Sequence, residues 1–115
     1  MELIYKIITV SHWRDAKEIG SFAGMETDLV DGFMHFSTAG QIRETAAKHF
    51  KGQDGLMLIA ASRNLLSEAL RFEPSRGGAL FPHLYGSLPL DAVAWAMALR
   101  PLPDGGFDFS FLLEE

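Results

Sequence analysis

Three apolar runs of strand length constrain this chain more than any other feature: LIYKIITV (Leu3–Val10), GLMLIAAS (Gly55–Ser62) and AVAWAMAL (Ala92–Leu99). The first is rich in β-branched and aromatic residues, and the second is compact enough to read as a central strand. In the third, Val93, Trp95, Met97 and Leu99 alternate strictly with alanines, which is the period of a strand even though alanine favours helix. None approaches the roughly 20 residues that a helix needs to span a bilayer. With 115 residues and 48% hydrophobic content, the chain can bury one real core. A single domain over residues 1–115 is expected.

Helical signals lie between the runs. Ser11 is placed to cap a first helix carrying Trp13, Ala16 and Ile19, which Gly20 and Gly24 end. After a polar segment, Gly32–Phe36 reads as a short strand. Thr38 and Gln41 then have the spacing of a capping box, and Ile42, Thr45, Ala46, His49 and Phe50 share a face of the helix that Gly52 closes. Ser62 is placed to cap a short helical turn through Leu65, Leu66 and Ala69, and Leu70–Glu73 reads as a further short strand. The segment after Pro74 reads as irregular. Phe107, Phe109, Phe111 and Leu113 alternate, and Asp104-Gly105 supplies turn chemistry, so a C-terminal antiparallel hairpin with the Ala92–Leu99 run is expected. Early strands, intervening helices and a terminal hairpin predict an α+β fold with a mixed sheet rather than a doubly wound parallel one.

Charge and composition remove several classes of function. A net charge of -5 argues against a surface that tracks a phosphate backbone, so nucleic acid is not an expected partner. With no cysteine there is no disulfide, thiolate ligand or thiol nucleophile. Glu2 and the strand-like run behind it do not resemble a signal peptide, which points to the cytoplasm and away from membranes.

Two motifs carry the candidate chemistry. In DGFMHFST (Asp31–Thr38) a strand brings His35, Ser37 and Thr38 to the start of a helix, where an anionic or hydroxyl-rich ligand could dock. The bland alternative is that Thr38 only caps the helix and His35 is a core histidine. In EPSRGGALFPHLYG (Glu73–Gly86), Gly77 and Gly78 permit close backbone approach to a ligand, and Arg76 suits bidentate binding of phosphate or carboxylate. Glu73 suits a sugar hydroxyl or a developing positive charge, Phe81 and Tyr85 suit a planar ring, and His83 is a donor. The bland alternative here is a solvated turn with Arg76 paired to an acid and the aromatics in the core. His12 and His49 read as structural, and no phosphate-loop, dinucleotide, zinc-protease or nucleophile-elbow pattern occurs.

These residues resemble domain-of-unknown-function family 952, a group of small bacterial and plant proteins. The resemblance rests on IYKI, DGFMHFST, Thr45-Ala46 with His49-Phe50, then Glu73, SRGG and FPHLYG. It implies a split, mostly antiparallel sheet flanked by helices, similar to the ADP-ribosyltransferase fold, with NAD as substrate and no metal. Transferases of that fold hold an NAD ribose with a histidine and a neighbouring hydroxyl, which His35 with Ser37 or Thr38 resembles. They place an aromatic residue against nicotinamide, which Tyr85 resembles. Their late-strand glutamate has no counterpart at the matching place, because Glu73 precedes FPHLYG while the last run carries Asp108 and Ser110.

The leading expectation is a cleft for an NAD- or ADP-ribose-type nucleotide, with Glu73 and His83 as catalytic residues. His35, Ser37, Thr38, Arg76, Gly77, Gly78, Phe81 and Tyr85 would hold the ligand. The alternatives are a non-catalytic module for a phosphorylated small molecule and a metal-assisted hydrolase in which His35, His83, Glu73 and Asp31 converge. The oligomeric state stays open.

Overall fold

A computed structural model describes residues 2–112, with the side chain of Arg76 outside the described part. The first apolar run forms β1 (Leu3–Thr9), the second β4 (Leu56–Ser62) and the third β8 (Val93–Leu99). They pair antiparallel in the order β1-β4-β8, with the most apolar strand in the middle. Both faces of β4 are covered, so Leu56, Leu58 and Ala60 enter one core cluster while Ile59 and Ala61 enter another.

A second sheet has the order β3-β6-β5, built from β3 (Met34–His35), β5 (Leu70–Pro74) and β6 (Leu80–Leu84). Its central strand lies in the segment expected to be irregular. Pro82 hid it, because proline has no N–H for a ladder and is normally confined to strand edges. Here β3 pairs with β6 only at Met34–Leu84 and His35–His83. Beyond that point the Pro82 carbonyl accepts from Phe36 N–H, so the missing donor falls where the ladder ends. A two-stranded ribbon of β2 (Ser21–Phe22) and β7 (Leu88–Pro89) completes the sheets.

Three helices flank them. The helix α1 (Val10–Ile19) is capped by Thr9, whose hydroxyl accepts from His12 N–H at 3.0 Å, rather than by Ser11. It ends at Gly20 with φ of +96°. The polar segment before β3 contains a short helix α2 (Glu26–Asp31), in which the Asp28 carboxylate accepts from Met25 N–H at 2.7 Å. The regular hydrogen bonding of α3 (Ile42–His49) begins later than the capping box implied, although Gln41 Oε1 does accept from Thr38 N–H at 3.0 Å.

The expected C-terminal hairpin forms only at its turn: Leu102 N–H donates to the Gly106 carbonyl at 2.8 Å, Asp108 N–H to the Arg100 carbonyl at 2.9 Å, and Pro101 bridges Phe107, whereas the partner of β8 itself is β4. Phe107, Phe109 and Leu112 are buried against the first sheet, on the same side as α3, while Leu113 lies outside the described residues. The aromatic alternation therefore marks a covering segment rather than a strand. Two flanking prolines, Pro101 and Pro103, and a turn from Phe109 to Leu112 prevent a continuous ladder. Among the described residues no helix is long and apolar enough to cross a membrane.

The segment after β3 joins the two three-stranded sheets. Ser37 exchanges both backbone hydrogen bonds with Tyr5 of β1 at 2.8 Å, one residue past the bond that ties Phe36 to β6.

Candidate functional site

The second sheet has two unlike faces because side chains alternate along each strand. Met34, Leu84 and Leu70 share one register row and enter the core. The next row, His35 and His83, falls on the opposite face, together with Phe33 and Tyr85 from the neighbouring positions. The Phe33 ring lies among the other three, with centroids 4.7 Å from His35, 4.2 Å from His83 and 5.3 Å from Tyr85. The two imidazoles are 5.6 Å apart, edge to face.

Each imidazole is oriented by acids. His83 Nδ1 meets Glu73 Oε1 at 2.8 Å, and the same oxygen accepts from the Tyr85 hydroxyl at 2.7 Å. A carboxylate at Nδ1 makes that nitrogen the donor, and in the neutral ring the lone pair then belongs to Nε2. Nε2 has no hydrogen-bond partner among the described residues, although the His83 side chain is only 6% exposed. Those two hydrogen bonds hold the Glu73 carboxyl below its usual range, and the hydrogen bond to Glu73 raises the Tyr85 phenol above its own.

His35 is bracketed. Its Nδ1 lies 2.6 Å from Asp28 Oδ1 and its Nε2 lies 2.9 Å from Asp31 Oδ2. Acceptors at both nitrogens make both of them donors, which is the hydrogen-bonding pattern of an imidazolium.

Beneath this row sits a buried ion pair. Lys6 occupies the inward row of β1 with Ile4 and Ile8, and its ammonium reaches Asp28 Oδ2 at 2.9 Å and the His35 carbonyl at 2.8 Å. Burial pushes the Lys6 ammonium below the usual lysine range, and the adjacent Asp28 charge offsets only part of that push. Burial works to raise the Asp28 carboxyl, but the His35 hydrogen bond and the Lys6 charge outweigh it and hold Asp28 well below the usual carboxylate range. Asp28 is therefore the fixed anion of the group.

These groups line a cleft of about 650 Å³. Lys6, Asp28, Asp31, His35 and His83 supply its polar wall, and Met25, Phe36, Phe50 and Phe81 its apolar one. Volume and lining are those of a small-molecule site. A second hollow, of about 320 Å³, lies between α3 and the tail, where the Arg43 guanidinium donates to the carbonyls of Phe109 and Leu112.

Of the residues singled out from sequence, His35, Ser37, Phe81 and His83 line the cleft, and Glu73 and Tyr85 reach it through His83. The Ser37 hydroxyl is 2.9 Å from that of Thr45. Thr38, Gly77 and Gly78 do not line the cleft, although Ser75, at the start of the same turn, does. The Arg76 side chain lies outside the described part. His49, read as structural, is a lining residue. The groups expected for a metal-assisted hydrolase pair with one another instead, as His35 with Asp31 and His83 with Glu73. Among the described residues no three His, Asp or Glu side chains are placed to share a metal ion.

Lys6 and Asp28 escaped the sequence reading. The available signal was Lys6 itself, a charge in the inward row Ile4-Lys6-Ile8 of an otherwise apolar strand. Such a lysine needs a buried partner.

The family profile described as "Protein of unknown function (DUF952)" matches residues 7–96. The crystal structure of protein CC0527 from Caulobacter crescentus is 45% identical in sequence, with a TM-score of 0.91, covering 95% of this chain and 96% of that one. The solution structure of the same protein is also 45% identical, with a TM-score of 0.87 and coverage of 98% and 97%. No curated protein matches the chain.

Proposed function

The chain belongs to the DUF952 family, and from that premise we propose that its cleft binds a nucleotide of the NAD or ADP-ribose type. The observation that carries this reading is His83, a buried imidazole of the cleft wall aligned by Glu73, whose Nε2 has no partner among the described residues. A buried polar atom without a partner is costly, and a ligand that hydrogen-bonds to it removes that cost. The two antiparallel sheets around the cleft support the likeness to ADP-ribosyltransferases drawn from the motifs. Phe81 in the cleft wall suits a base or a nicotinamide ring. Glu73, expected as a catalytic carboxylate, directs its oxygen to His83 and Tyr85 and so acts as a positioning residue for His83.

Thermal unfolding with millimolar NAD or ADP-ribose tests this reading. A ligand at about 100 times its dissociation constant adds roughly 2.7 kcal/mol, which is several degrees for a domain of this size. The expected result is a shift with at least one of the two, abolished in His83→Gln. No shift with either rejects the nucleotide assignment.

A further inference from the structure

The paired imidazoles differ in what their surroundings ask of them. His83 meets a carboxylate at Nδ1 alone and its Nε2 has no partner among the described residues, whereas His35 meets a carboxylate at each nitrogen, and their rings are 5.6 Å apart on one face of one sheet. Two imidazoles set in unlike hydrogen-bonding surroundings beside the same cleft are the makings of a base and an acid. We propose that His83 and His35 act as general base and general acid in hydrolysing a phosphodiester whose leaving group is a sugar hydroxyl. The proposal rests on the reading of the cleft as a nucleotide site and adds the bond that is broken there.

The choice of bond follows from the acid. Nicotinamide leaves NAD as a neutral molecule and needs no proton, so a positioned donor contributes nothing to that departure. A sugar alkoxide is strongly basic, and its departure is slow unless a proton arrives as the bond breaks. In the proposed step His83 Nε2 takes a proton from a water molecule as the water oxygen bonds to phosphorus. The bond from phosphorus to the sugar oxygen breaks, its electron pair stays on that oxygen, and the Nε2 proton of His35 neutralises it. The products are a phosphomonoester and an alcohol, and the two rings exchange protons with solvent to reset.

The surrounding carboxylates have separate parts. Asp28 is buried at Nδ1 of His35 and remains there throughout, as Glu73 does at Nδ1 of His83. Asp31 is 41% exposed at Nε2, and it occupies the position that the leaving oxygen takes when substrate binds.

The test uses the intact chain with 2′,3′-cyclic AMP, whose leaving group is a ribose hydroxyl, and bis(p-nitrophenyl) phosphate, whose leaving group departs without a proton. Thermal unfolding with the cyclic nucleotide is measured alongside turnover. The expected result is hydrolysis of both esters by the native protein and loss of both in His83→Gln. His35→Gln lowers cyclic AMP hydrolysis by roughly 100-fold or more and aryl-ester hydrolysis by a far smaller factor, with circular dichroism recorded on the same sample to show that the variant is folded. Equal loss of both esters in His35→Gln overturns the acid assignment. A thermal shift with cyclic AMP and no turnover overturns the proposed chemistry while the nucleotide reading stands. Absence of both shift and turnover overturns the two together.

Discussion

Asp28 accepts from Met25 N–H, from His35 N–H, from the His35 ring and from the Lys6 ammonium, so one carboxylate ties β1, α2 and β3 together. A charge this deep is tolerated only because each lone pair has a donor. Removing one partner leaves the others burying an uncompensated charge. Lys6→Met is therefore expected to cost about 3–5 kcal/mol in urea denaturation, well beyond the loss of a single hydrogen bond. A cost below about 1 kcal/mol would mean that the His35 and backbone donors suffice by themselves.

At the scale of elements, α2 forms the wall that carries Asp28 and Asp31, and its approach is set by Gly24. This residue has φ of +125°, and a Cβ there would stand 2.9 Å from Asp28 Cβ. Neither the backbone region nor the contact suits a side chain. Gly24→Ala is expected to destabilise the fold by about 1–3 kcal/mol in chemical denaturation and to weaken any ligand-induced thermal shift, because the helix that positions His35 is displaced. Gly32→Ala makes an informative comparison, since its φ of +84° is also left-handed but open space surrounds its Cβ position. The long strands were legible in the sequence because β1, β4 and β8 carry dense apolar patterns. The short helix α2 was not, since its exposed Leu29 and Val30 and buried Asp28 invert the usual amphipathic pattern. In the candidate site, His35 and His83 stood out as residue types on period-two strands, whereas their shared row depends on a ladder between segments nearly fifty positions apart, which no local spacing reveals.

For the whole molecule, acid sensitivity follows from the same carboxyl groups. Asp28, Glu73 and Asp108 are all held below their ordinary values when folded. The unfolded chain then takes up protons first as the solution is acidified, and stability falls with pH once the ordinary carboxylate range near 4 is entered. The Lys6 shift has the opposite location, because a lysine lowered on folding adds stability only as pH rises toward its ordinary value near 10.4. Scanning calorimetry is expected to show a melting midpoint that is nearly flat around neutrality and declines below about pH 4, with a shallower decline in Asp28→Asn. An unchanged slope in that variant would move the sensitivity to Glu73 and Asp108.

Four consecutive positions, Met34 to Ser37, run from one sheet to the other, and the second of them carries an imidazole. The chain thus places an imidazole of its cleft on its own stitching. Mutational drift is partitioned accordingly: changes along this stretch alter foldedness and ligand recognition as one inherited block, whereas the outer faces of α2 and the Arg63–Leu66 turn, with Val30 and Leu65 in solvent, can vary without either being touched.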